Sequence, residues 1–109
     1  MIHLNEQDMG LLKKILQAFA PEGRKVVLFG SRATGLRLKP HSDIDLCVMG
    51  DTPLSSREIS DLKDALSNSN LSVRVDVVDW PSASPNFQAI IKENGQEVVY
   101  DKTAKEIFP

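Results

Sequence analysis

From Val73 to Asp79 the chain alternates, with Val73, Val75 and Val77 in one phase and Arg74 and Asp76 in the other. A period of two is the repeat of a strand with one face against a core. A second run, Asp43-Ile44-Asp45-Leu46-Cys47-Val48-Met49, repeats the pattern with Ile44, Leu46 and Val48 as its apolar phase. A third, Lys25-Val26-Val27-Leu28-Phe29, is short, apolar and β-branched, which suits a strand buried in a sheet. Three such strands call for a sheet, and a sheet with an apolar face calls for helices to cover it.

The helices announce themselves by their caps. Asn5 has capping chemistry, Asp8 follows three residues on, and Leu4 and Met9 occupy staple positions. Met9, Leu12, Ile15, Leu16 and Phe19 share one face, so the spacing predicts a helix over 6–19, broken by Pro21-Glu22-Gly23. Ser55 and Glu58 have capping-box spacing, and Ile59, Leu62, Ala65 and Leu66 predict a helix over about 56–67. Ser84-Pro85 is a cap with a first-turn proline; Phe87, Ile90 and Ile91 form an apolar face and Gly95 a C-terminal stop. Glu97-Val98-Val99-Tyr100 is expected to add a short strand or dock the chain end, and residues 101–109 to form a loosely held tail. The expected class is α/β (α+β): a small mixed sheet of three or four strands with helices packed on one face. With 109 residues and 41% hydrophobic content, residues 1–109 suffice for one domain whose core needs no disulfide or structural metal.

Several function classes are disfavoured. Cys47 is the single cysteine, and no Cys or His spacing suits a metal, which points to a reducing, cytoplasmic setting. The N-terminus lacks a basic segment followed by an apolar one, and no run approaches the roughly 18 apolar residues of a membrane span, so no membrane partner is expected. Thirteen Lys and Arg against 15 Asp and Glu give a net charge of -2, which disfavours nucleic acid as a partner.

The chemistry lies in the acidic phase of the strands. Asp43 and Asp45 are two residues apart in a strand and so share a face, their Cα atoms about 6.5–7 Å apart. If the third strand neighbours the second, Asp76 joins them, and three carboxylates need a counter-charge. Oxygen-only ligands suit Mg²⁺ or Mn²⁺, and two such ions can clamp the attacking and leaving oxygens of a phosphoryl displacement. Gly30-Ser31 follows the first strand, where a residue without a side chain lets phosphate approach. Arg32, with Arg37 and Lys39 in the same loop, adds phosphate donors.

Plainer roles compete. Arg32, Arg37 or Arg74 could pair with the carboxylates in a surface ion network. Asp79 rivals Asp76 as third carboxylate, but alternation puts it on the opposite face. Cys47, His3 and His41 receive no role, and Trp80 is expected to pack at a strand end rather than stack on a base.

Gly30-Ser31-Arg32-Ala33-Thr34-Gly35, followed after eleven residues from Ser31 by Asp43-Ile44-Asp45-Leu46, resembles the signature of the DNA polymerase β nucleotidyltransferase superfamily, and specifically its minimal, MNT-type branch. The resemblance covers roughly residues 8–100. It implies a nucleotidyltransferase fold, Asp43 and Asp45 as ligands of both Mg²⁺ ions, and Asp76 as the third carboxylate, completing the catalytic metal site and helping deprotonate the acceptor. It also implies Gly30 and Ser31 as holders of the triphosphate, with ATP as the donor by family habit. Many relatives of this kind are antitoxins of HEPN-type toxins, so a toxin hydroxyl is the implied acceptor of the nucleoside monophosphate. Two other functions stay open at this point: a catalytically silent antitoxin that works by complex formation, and transfer to a small molecule or an RNA end.

Overall fold

The structure, a computed structural model, describes residues 2–101. Asn5 caps the first helix, α1 (Glu6–Phe19), by accepting the Asp8 N–H at 2.7 Å. The helix stops at Ala20, which is extended because Pro21 follows it. Ser55 starts α3 (Ser56–Ser67) with a full capping box: its hydroxyl accepts the Glu58 N–H at 3.1 Å, and the Glu58 carboxylate accepts the Ser55 N–H at 3.0 Å. Ser84 and Pro85 start α4 (Pro85–Asn94). Gly95 ends α4 without a left-handed turn; glycine is required because a Cβ there would lie 2.4 Å from both Ile91 O and Val27 Cγ1.

The strands are β1 (Val26–Phe29), β2 (Ile44–Val48), β3 (Val75–Asp79) and a two-residue β4 (Gln96–Glu97), in the order β3-β2-β1-β4. β1 runs antiparallel to β2, with Leu28 opposite Leu46 and Phe29 opposite Asp45. β2 and β3 are parallel, joined through α3, with Ile44 beside Val75 and Asp45 beside Asp76. β4 pairs antiparallel with β1 and is shorter than the 97–100 expectation; beyond it Val98 donates to Val26 O and is buried. Two short elements escape a reading of periodicity: the turn α2 (Ser31–Thr34) and the 3₁₀ turn Trp80–Ser82.

The sheet is covered on both faces. Val26, Leu28, Ile44, Leu46 and Val48 pack with Leu12 and Leu16 of α1 and Leu62 and Leu66 of α3 in the main core. On the other face Phe29 and Cys47 are buried with Ile91 of α4, beside Val27, Met49, Val78 and Trp80. The mixed sheet with its helices is as expected, but placing all helices on one face is corrected: α4 crosses the second face. Phe29, Cys47 and Val27 make that face apolar, and fully burying a Phe side chain is worth about 1.5–3 kcal/mol. The expected loose tail lies, beyond Asp101, outside the described residues.

One buried polar contact sets the approach to β3. The Asp8 carboxylate, 4% exposed, accepts from both the backbone N–H and the hydroxyl of Ser72. It thus ties the start of α1 to the segment entering β3, instead of returning to its own cap. Asp8→Ala is expected to lower unfolding free energy by about 1–3 kcal/mol, because it removes both hydrogen bonds that the buried carboxylate accepts from Ser72. Urea unfolding of the two proteins measures this.

Candidate active site

At the end of β1 the backbone turns through Gly30, with φ 79° and ψ -155°, into the single helical turn α2. The Gly30 carbonyl accepts from Ala33 and Thr34, and Gly35, at φ 76°, closes the turn by donating to Ser31 O at 2.7 Å. Glycine is required at position 30 on two counts: the positive φ, and a Cβ that would lie 2.6 Å from Asp45 Oδ2. The Gly-Ser turn and the Asp45 carboxylate are therefore in contact, and Ser31, half-buried, opens α2 beside them.

Parallel register places Asp45 and Asp76 side by side on adjacent strands, which lie about 4.7–4.9 Å apart. Asp43 precedes β2 and is exposed; Asp45 and Asp76 are intermediate in burial. Burial holds the Asp45 carboxyl above its ordinary pKa, and the negative charges of Asp76 and then Asp43 add to the shift. The three sequence-predicted carboxylates thus stand within electrostatic reach of one another. Among the described residues no three His, Cys, Asp or Glu side chains close into a metal cage. What the protein offers is an oxygen-only, mutually repelling and open set of donors, a fit for a hard divalent cation that takes its remaining ligands from phosphate. Arg74 pairs with Asp76 at 3.6 Å, as the ion-network alternative foresaw; both side chains are substantially exposed, so the pair is weak.

An apolar wall flanks the acids, and the sequence reading missed it. Phe29, opposite Asp45 on the same face, meets the edge of Phe87 from α4 with ring centroids 5.4 Å apart and planes at 88°. Phe87 was legible as helix face but not as a partner of Phe29, because the expectation put every helix on one face of the sheet.

Arg32 is a correction. Its guanidinium is buried and donates to three backbone carbonyls: Ser42 at 3.0 Å, His3 at 3.1 Å and Pro40 at 3.3 Å. The side chain braces the loop entering β2 instead of reaching for phosphate. Arg37 and Lys39 stay exposed in that loop. Asp79 lies on the main-core face and accepts the Leu54 N–H at 2.9 Å, a structural use. Cys47 is fully buried, and burial, then the Asp79 charge, pushes its thiol up to about 11, so it is inert. Trp80 packs on the second face with Lys92 Nζ 5.5 Å from its ring centre. His3 is exposed and lies against Gly35, and His41 is exposed in the loop.

Residues 3–104 match the family model described as polymerase beta, nucleotidyltransferase. The chain belongs to the polymerase β nucleotidyltransferase family. It is 36% identical over 92 residues to the "Probable protein adenylyltransferase MntA" of Haemophilus influenzae, covering 84% of this chain and 79% of that protein. Its fold is similar to a crystal structure of a toxin–antitoxin pair with AMP-PNP, at a TM-score of 0.67 and 28% identity, covering 92% of this chain and 79% of the other. A Shewanella oneidensis MNT antitoxin complex with a tri-AMPylated HEPN toxin shares the fold at a TM-score of 0.63 and 24% identity, over 96% of this chain and 80% of that one.

The raised Asp45 pKa carries a stability consequence. Ionised Asp45 is penalised in the folded state, so the penalty is full above its folded pKa and vanishes below the unfolded value of about 3.9. Asp45→Asn is therefore expected to raise the melting temperature at pH 7 in EDTA, with the gain shrinking as pH falls toward 4. Scanning calorimetry at the two pH values checks it, and equal melting temperatures at pH 7 would contradict the repulsive cluster.

Proposed function

We propose that this chain transfers AMP from ATP to a hydroxyl of a HEPN-type toxin, releasing pyrophosphate. The observation that carries the reading is the contact of Gly30 with Asp45 beside the in-register Asp76. It puts a turn suited to phosphate and a cluster of acids within one side chain of each other. The 36% identical relative named as a probable protein adenylyltransferase supports the donor and the reaction. The toxin–antitoxin structure with AMP-PNP supports the nucleotide and the kind of partner.

Asp43 and Asp45, with Asp76 completing the set, would hold two Mg²⁺ ions, Mn²⁺ serving equally, and the metal supplies charge neutralisation and Lewis-acid polarisation at the α-phosphate. The chain's own residues do the rest. Gly30 leaves room for the triphosphate and the Ser31 hydroxyl donates to one of its oxygens. Phe29, opposite Asp45 in the β1–β2 register, keeps water from one side of it. Asp76 takes the proton of the acceptor hydroxyl as its oxygen bonds to the α-phosphorus and the bond to the β-phosphate oxygen breaks. Arg32 acts by holding the 40–42 loop, and so the start of β2.

Among the described residues no helix is long and apolar enough to cross a membrane. We read residues 1–109 as one catalytic domain working in the cytoplasm, a setting that suits the single free cysteine. The rival reading is an antitoxin that acts by binding alone.

With Mg²⁺, labelled ATP and a HEPN-type toxin, the toxin is expected to gain the mass of AMP. Asp43→Asn should slow the transfer by more than about 100-fold, beyond the cost of losing an outer partner of a metal ligand. Intact-mass spectrometry gives both results. A stable one-to-one complex without any mass gain would favour the binding-only reading.

A further inference from the structure

β3 is an edge strand, and its outer side is open among the described residues. Ile44 N–H donates to Arg74 O at 2.8 Å. In a parallel pair this parity turns the backbone groups of Asp76 and Val78 toward β2, and the N–H and C=O of Val75 and Val77 outward. The first four β3 residues are only half-buried, whereas four of the five in β2 are buried. A groove of about 600 Å³ runs along this edge, walled by Lys63 and Leu66 of α3, Leu71 of the loop that follows, and Val75, Asp76 and Val77. Open, valine-rich edges are templates for another strand. This one shares Asp76 with the catalytic face, so whatever lies along it reaches the acids.

We propose that the groove beside β3 receives an extended segment of the acceptor protein as an added strand, delivering its hydroxyl to Asp76. This rests on the transfer reading above and names the place where its acceptor docks. Val75 and Val77 would exchange backbone hydrogen bonds with the segment, which gives affinity largely independent of its sequence. Lys63 and Arg74 on the walls select a segment with an acidic side chain near the hydroxyl. Leu71, half-buried, offers apolar surface for a residue of the opposite phase.

The test is residue-resolved amide exchange by NMR on the full chain, with and without the HEPN-type toxin, in Mg²⁺ and an ATP analogue with a methylene bridge between the α- and β-phosphates, with labelling of the toxin by ATP run alongside. Val75 and Val77 are expected to slow at least about tenfold in the complex, as two new hydrogen bonds require, while Asp76 and Val78, already bonded to β2, change little. Val75→Pro removes an outward donor without touching the β2 ladder, and is expected to raise the KM for toxin about tenfold with the KM for ATP unchanged. Lys63→Glu, at an exposed side chain, should raise the toxin KM in the same direction even if the proline variant fails to fold. A toxin that is labelled while Val75 and Val77 exchange as in the free chain overturns edge docking and leaves the transfer reading standing. Protection of the two amides without labelling keeps the docking site and overturns transfer. Neither protection nor labelling overturns both.

Discussion

Setting Asp45 beside Asp76 on neighbouring strands is electrostatically unfavourable, and the fold tolerates it because the same strands bury their other face. Ile44 and Leu46 are fully buried, with Val75 and Val77 packed against the same core. Those contacts, at about 1.5–3 kcal/mol for each fully buried chain, outweigh the repulsion between partly solvated carboxylates. Because the side-chain period is two, a register slip by one residue would expose the valines and isoleucine and bury the acids. The core thus sets the position of the chemistry: to move the carboxylates apart, the chain would have to give up its main hydrophobic contacts.

The loop between β1 and β2 meets a second constraint. It must leave β1 through a glycine tight against Asp45 and still deliver Asp43 to the start of β2. Arg32 solves this by gathering three carbonyls that would otherwise need other partners near the core. Its charge serves backbone geometry, which leaves the exposed Arg37 and Lys39 as the cations of that loop facing solvent. Asp8 plays a comparable part at the other strand by holding Ser72 ahead of β3. Both are charged residues used inside the structure to aim strands that carry acids.

The two sides of the sheet differ in purpose. The α1 and α3 side is a continuous apolar core, and the α4 side divides between apolar cover and the acidic row. Phe29 belongs to both: it fills the second core and borders Asp45. The partial burial that results holds the Asp45 carboxyl above its ordinary pKa, and the charges of Asp76 and Asp43 add to the shift. A site built this way stores unfavourable electrostatics.

Where a feature depends on neighbours in the chain, the residues alone determined it. The helices at 6–19 and 56–67 start and stop where their caps and the following breakers put them, because capping is settled within four residues. The strand phases were equally legible, so Asp43 and Asp45 on one face, with Asp79 opposite Asp76, followed from alternation. The pairing of Asp45 with Asp76 was only conditional in the sequence, since it needs β3 to lie parallel beside β2. The side taken by α4, the turning of Arg32 into a loop, the bond from Asp8 to Ser72 and the open edge of β3 left no periodic trace. Each is a contact between segments distant in sequence or a one-turn bend too short to have a period. Only packing of the whole chain, which chooses which buried surfaces meet, decided them.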